Sequence, residues 1–511
     1  MVTEKRKLHS IVFVICAILF AVSLLLSYGI EKNTCMGVQL MESEELSAMT
    51  EAQTPHQTIL LYNGNPAAID RETCTVYISQ QHKDAVEYSQ LKGNLTTKSG
   101  DVTLKIIKED VLGNIAEGMG ENCSYRLVVI GAGNEYTIYN IVFTSLPVIN
   151  IEGVVIGTHE NGGELYEGGI YFWDPASAET GEYRTVDSAV SWHVRGNSST
   201  IYKKKSLKLS LKNSKGENNN LSFCGLGEDD DWILNPMSFD DVKTREKLVQ
   251  DLWKSMSQDN PYNADMTTSE YVEVVENGEY KGLYLIMRRV DEKYLKLDSD
   301  SILLKGSKYT LREIDAYTFG IKYSPFSEEE TRIWLEQNFV DQYVNHINVD
   351  NYIDISLMSQ LGSMGDNITS KNYFVVIEDI DTEYHVTLVL WDTDLSFGVC
   401  AVDQVGFVPR FEETVKMTYQ RIEQPQMIQL YPDLDKKTAE RWQQLRQTVF
   451  TEENLLNANS EYRNVITESG ALARNEAKWG FKYRGGDTLE QMEAFIKERL
   501  KVLDEYYSQF I

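Results

Sequence analysis

Val386-Thr387-Leu388-Val389-Leu390-Trp391-Asp392-Thr393-Asp394-Leu395-Ser396-Phe397-Gly398 is an apolar run that passes directly into a turn with two carboxylates. Its length and β-branched content predict a buried strand over Val386 to Leu390, so Asp392 and Asp394 stand where the strand meets solvent. Hard oxygen ligands at a strand end suit Mg2+, which keeps several waters and shares its remaining positions with nucleotide phosphates. An acidic turn without any ligand uses the same residues, and the pair alone does not choose between the two readings.

Upstream, Gly365-Asp366-Asn367-Ile368-Thr369-Ser370-Lys371-Asn372-Tyr373 ends a helical pattern and opens another strand. Asp366 and Asn372 can converge there. In phosphoryl transfer an Asp orients the acceptor hydroxyl and an Asn completes the metal shell. A helix-ending Gly and Asp followed by a turn-capping Asn is the plainer alternative. Earlier still, Trp192-His193-Val194-Arg195-Gly196-Asn197-Ser198-Ser199 and then Lys203-Lys204-Lys205-Ser206-Leu207-Lys208-Leu209 read as strand, small-residue turn, strand. Backbone N–H groups in such a turn approach phosphate oxygens, and a cation on the following strand offsets their charge. An ordinary hairpin with lysines on its wet face fits as well. The order of the three elements, cations first, then Asp/Asn, then Asp after a strand, is that of a kinase.

Around these motifs, strands are predicted over Val190 to Arg195, Ser206 to Leu211, Glu270 to Val275, Gly282 to Met287, Tyr373 to Ile377 and Val386 to Leu390. Helices are predicted over Val242 to Ser255, Glu328 to Phe339, Ile353 to Met364, Asp435 to Val449 and Leu489 to Tyr507. Strands first and helices last give an α+β unit over 147–511. Tyr262, Tyr271, Tyr280 and Tyr284 read as packing residues of a half-buried sheet.

Short runs such as Tyr125-Arg126-Leu127-Val128-Val129-Ile130, divided by turns such as Asn63-Gly64, predict a small all-β, Ig-like sandwich over 58–146. The acidic, polar stretch 31–57 reads as a flexible spacer. Lys5, Arg6 and Lys7 precede an apolar run from Ile11 to Leu26, so 1–30 reads as a membrane helix, a single-pass signal anchor that leaves the globular part extracytoplasmic. A cleaved signal gives a secreted protein with the same exterior location. The 511 residues carry 77 Asp and Glu against 49 Lys and Arg, a net charge of -28 that repels nucleic acid. The six cysteines form no C-x-x-C pair, which argues against a zinc or thioredoxin-like site; Cys74 and Cys123 could pair in an oxidising compartment, and unpaired buried thiols fit the sequence at least as well.

Together, Arg195-Gly196-Asn197-Ser198-Ser199, Lys204-Lys205-Ser206, Asn277-Gly278-Glu279-Tyr280-Lys281-Gly282-Leu283-Tyr284, Lys371-Asn372-Tyr373 and Trp391-Asp392-x-Asp394-x-x-Phe397-Gly398 resemble the successive motifs of the CotH kinase family, over about 147–480. The resemblance implies an atypical protein-kinase-like, bilobal domain, a smaller β-rich lobe over a larger helical one, with ATP and Mg2+ or Mn2+ between them. It implies that Arg195 and Lys205 contact the ATP phosphates, with Lys208 a second candidate. Asp366 is then the catalytic Asp, and Asn372 and Asp392 hold metal, Asp394 being the nearby alternative. Bacterial members include spore-coat proteins that phosphorylate other coat proteins.

Two departures stand out. Arg288 occupies a position where many members are acidic, and Asn372 follows Asp366 at one residue more than in conventional kinases. The expected function is transfer of the ATP γ-phosphoryl group to Ser or Thr of a basic extracytoplasmic or spore-coat protein. The alternative is a catalytically inactive kinase-fold surface protein that serves as a cell-envelope or coat scaffold. A third, nucleotidyl transfer, uses the same metal and ATP in a reversed pose.

Overall fold

The run that opens the sequence argument is the strand His385–Leu390, paired antiparallel with Tyr373–Glu378 so that Leu390 faces Tyr373. Ile302–Gly306 pairs on the other side, and Phe319–Tyr323 completes a four-stranded sheet. The two-residue period of a strand divides its side chains. Leu303, Phe374, Val376, Val389 and Trp391 pack with Leu283, Leu285 and Met287, whereas Leu304, Val375, Ile377, Leu388 and Leu390 pack with helices. Burial on both faces explains the unbroken apolar run.

The structure is a computed structural model and describes residues 33–53, 58–80, 91, 93–98, 100–111, 115–175, 184–196, 200, 202–306, 315–368, 372–402, 406–416, 424–480 and 487–511. Seven strands close into a barrel: Val148–Thr158, Glu164–Asp174, Arg184–Arg195, Ser206–Lys212, Asp231–Asn235, Glu279–Arg288 and Ser269–Glu276, the last pairing parallel with the first. Ile149, Ile151, Phe172, Trp192, Leu209, Trp232 and Ile286 fill the interior. Ile233, Leu285 and Met287, on the outside, seat the barrel on the four-stranded sheet. The far face of that sheet is covered by Arg245–Met256, Val349–Gly362, Leu434–Arg446 and Leu489–Tyr507, whose Leu248, Leu357, Trp442, Leu445, Ile496 and Leu503 share one core. The result is a mixed α+β architecture in which barrel, sheet and helices lie in succession.

Several elements depart from expectation. Helices Glu452–Glu468 and Ala471–Trp479 fall within the carboxy-terminal part expected to be mostly helical but were not delimited there, because Asn454, Asn457, Asn459 and Asn464 dilute the apolar period of the first. Glu328–Trp334 is α-helical and continues as a π turn over Leu335–Phe339. Tyr271, Tyr280 and Tyr284 are buried, but Tyr262 is 54% exposed.

The larger correction concerns the spacer. Thr34–Cys35, Val38–Met41 and Thr50–Glu51 are strands of an eight-stranded sheet, and Ser43–Ala48 is a 3-10 turn between them. Strands of two to four residues bury too few side chains to show a period, and local polar contacts fix the rest. Glu42 pairs with Lys108 at 2.6 Å, and Glu109 accepts from the Ser43 N–H at 2.9 Å. A three-stranded sheet, Asn65–Pro66, Leu60–Tyr62 and Leu95–Thr97, shares the core of this region.

Parallel pairs distinguish it from the expected antiparallel Ig-like sandwich: Val38–Met41 with Thr103–Ile107, and Thr75–Ser79 with Glu135–Thr144. Cys74 and Cys123 are free thiols. The region is fastened to the rest by Asp70, which accepts from the Tyr280 N–H at 3.0 Å, and by Arg474, which pairs with Glu273 at 2.7 Å and donates to Asn122. The anchor expected over 1–30 lies outside the described residues, and among those described no helix is long and apolar enough to cross a membrane.

Candidate active site

The ends of the two central strands are stapled together. The Trp391 N–H donates to the Asn372 carbonyl at 3.1 Å, and the Asn367 amide donates to the carbonyls of Asn372 and Trp391 at 2.9 and 2.7 Å. With Asn367 engaged in this way, the longer spacing resolves itself: Asn372 is the amide that meets Asp366, donating to its Oδ2 at 2.8 Å. Past Trp391 the turn is bent by left-handed residues, Asp392 at φ 59° and Phe397 at φ 47°. Gly398, at φ 93°, is required twice over, since a Cβ there would lie 2.1 Å from the Phe411 ring. Phe397 is wholly buried among the helices and donates its N–H to the Gly362 carbonyl at 2.5 Å, fixing the loop from below.

Glu246, near the start of Arg245–Met256, was not identified from the sequence, where it is one acid among many at a helix start. It is buried and accepts from the Thr393 N–H at 2.7 Å, the Thr393 hydroxyl at 3.0 Å and the Gln250 amide at 3.1 Å. Burial, and then the charge of Asp392, push its carboxyl from 4.5 up to about 7 despite those hydrogen bonds. Asp394, 7% exposed, has no hydrogen-bond or ion-pair partner among the described residues, and it is pushed well above the ordinary carboxylate range by burial and then by Asp392, Glu246, Asp240 and Asp366. The acidic turn therefore gathers carboxyls that raise one another.

A carboxyl raised in this way stabilises the fold while protonated. That contribution is full below the unfolded value and is lost as pH rises through the folded one. From Glu246 alone the ligand-free protein is expected to lose roughly 3 kcal/mol of stability between its unfolded and folded values, 4.5 and about 7. Urea denaturation across that pH range is the measurement, and Glu246→Gln should flatten the decline.

Cations stand opposite. Arg195 is half-buried, with its guanidinium 5.5 Å from the Trp391 ring centroid and Nη1 donating to Ser206 Oγ at 3.3 Å. Burial lowers its pKa, and the charges of Asp392 and Glu246 oppose that shift. Lys305, on Ile302–Gly306, lies over the rings of Phe374 and Trp391 at 5.4 and 5.5 Å. It is brought down to about 8 by burial and then by Arg195, against the pull of Asp392. The sequence holds a faint signal for it, a lone lysine in the otherwise apolar Ile302-Leu303-Leu304-Lys305.

Among the expected cations, Lys208 pairs with Asp231 at 3.0 Å beside Arg289, which reaches the same carboxylate at 3.2 Å. Lys205 does not join the group. It precedes the strand Ser206–Lys212, and its Nζ donates to the Thr200 carbonyl at 2.5 Å. Asn197, Ser198, Ser199 and Lys371 lie outside the described residues. Arg288 points elsewhere: it pairs with Asp229 at 3.1 Å and covers the Tyr294 ring at 4.6 Å.

Among the described residues no three His, Cys, Asp or Glu side chains converge to enclose a metal by themselves. The donor set nevertheless fits a hard divalent cation: an unpartnered buried carboxylate, a second carboxylate on the same turn and an amide oxygen, with the remaining positions left to phosphate and water.

Residues 192–503, well over half of the chain, match the family described as CotH kinase protein, an interval that begins just before Arg195 and includes every residue of the candidate site. No curated protein matches the chain.

Proposed function

The chain belongs to the CotH kinase family, and from that membership we propose that it transfers the γ-phosphoryl group of ATP to Ser or Thr hydroxyls of a protein. The observation that carries this reading is the meeting, where the barrel abuts the four-stranded sheet, of the Asp366–Asn372 pair, the carboxylates of Asp392 and Asp394, and the cations Arg195 and Lys305. In this reading the barrel is the β-rich lobe and the sheet with its helices is the larger one. The phosphates lie toward Arg195 and Lys305, which are held against the Trp391 ring and, for Lys305, the Phe374 ring. Asp392, Asp394 and Asn372 are the residues that would hold Mg2+ or Mn2+. When bound, the metal neutralises charge on the phosphate oxygens.

Asp366 accepts or orients the acceptor hydroxyl proton, and the Asn372 amide fixes the carboxylate for that task. Glu246 sets the height of the acidic turn through its two bonds to Thr393. The scaffold alternative drew on Arg288 standing where many members are acidic, a loss that would weaken nucleotide or metal binding; the side chain itself pairs with Asp229 and covers the Tyr294 ring. A spore-coat or extracytoplasmic acceptor is part of the proposal. It rests on the family resemblance and on the amino-terminal pattern.

Calorimetry of Mg·ATP binding tests the reading. Binding is expected to require the metal, to weaken about tenfold or more in Asp392→Ala and to weaken similarly in Lys305→Met, the order of a charge-assisted contact to phosphate. A folded protein that binds no nucleotide with Mg2+ or Mn2+ would return the scaffold reading.

A further inference from the structure

A cavity of about 610 Å3 opens at the end of the central hairpin remote from the acidic turn. It is walled by the loop around Tyr262 to Asp265, the link from barrel to sheet at Tyr294 to Leu297, the turn at Asn345 to Asn348, and the strand ends Glu378 and His385. Asn372 and Glu378 are opposite ends of one stretch of strand, which sets the cavity roughly 20 Å from the candidate site.

Building on the kinase reading, we propose that this cavity docks a lysine- or arginine-bearing segment of the protein acceptor. Three carboxylates, Asp265, Glu378 and Glu383, line it against one ammonium, Lys296. Asp265 and Glu383 are exposed and have no ion-pair partner among the described residues. Among the described residues Glu378 has only His385, at 3.4 Å, which is charged only when protonated. The exposed Tyr262 adds an aromatic ring, a surface that attracts cations and the stems that carry them. The volume suits a few side chains of a peptide rather than a folded domain.

The geometry also sets a spacing. A basic anchor in the cavity and a hydroxyl at Asp366 require about six or more extended residues between them.

Acetylated tetralysine is the probe, its binding to the chain read by fluorescence anisotropy at low salt beside tetraglutamine. The triple variant Asp265→Asn, Glu378→Gln, Glu383→Gln is expected to weaken tetralysine about tenfold. A control with the same charge change at exposed helical positions, Glu453→Gln, Glu461→Gln, Glu505→Gln, is expected to change it less than about twofold. The cavity carboxylates are exposed or half-buried, and unchanged thermal denaturation of both triples confirms that each folds. Equal weakening by the two triples, no weakening by the first, or equal binding of tetraglutamine would each overturn the docking site. Mg·ATP binding is measured on the same samples and is expected to be unaffected. Its absence beside cavity-dependent tetralysine binding would overturn the kinase reading alone.

Discussion

Asp394→Asn is expected to lower phosphoryl transfer by roughly a thousandfold while making the ligand-free protein more stable at neutral pH and above. The two effects have one cause. Asp394 is buried without a hydrogen-bond or ion-pair partner among the described residues and faces the repulsion of Asp392, Glu246, Asp240 and Asp366. An amide of the same size relieves that repulsion, so the unfolding midpoint in urea rises. A carboxylate retained only for structure would behave in the opposite way, its loss lowering stability. Activity lost together with stability would show that Asp394 is a fold residue, and activity retained would remove it from the site.

Arg245→Met is expected to destabilise the protein by about 3–5 kcal/mol, because it strands two buried carboxylates. The guanidinium is fully buried, contacts Asp240, pairs with Asp487 at 2.6 Å and donates from Nε to the Ser396 carbonyl at 2.9 Å. It thereby ties the start of Arg245–Met256 to the loop that holds Asp394. Urea denaturation measures the loss. Adding Asp240→Asn and Asp487→Asn to the same chain should recover part of it, since no charge is then left unpaired. Nucleotide binding should fall further than stability alone explains if Ser396 is the link that sets the acidic turn.

Legibility in the sequence followed length and burial. His385–Leu390, Tyr373–Glu378 and Leu489–Tyr507 were readable because each buries a long, regular set of apolar residues. The strands at Thr34–Cys35 and Val38–Met41 were not, because they have too few residues to establish a period and are fixed by pairing with distant segments. Closure of seven strands into a barrel was likewise invisible, since it depends on Ser269–Glu276 returning beside Val148–Thr158.

The site divides along the same line. Asp366, Asn372, Asp392 and Asp394 lie within one stretch of chain and could be proposed together from the sequence, as could Arg195 through its turn. Glu246 and Lys305 reach the site from a helix start and a neighbouring strand, and only the fold places them there. Lys205 was chosen over its neighbours by motif, whereas its local contact, the Thr200 carbonyl, is set by the folded turn and has no signal in the sequence.

Intact-mass analysis of a serine-containing, lysine-rich acceptor peptide incubated with the chain, ATP and Mg2+ decides whether the site is a protein kinase. A kinase gives a gain equal to one phosphoryl group, dependent on metal and absent with Asp366→Asn. A gain equal to a nucleotidyl group, or an unmodified peptide in the presence of a chain that binds Mg·ATP, would rule phosphoryl transfer out.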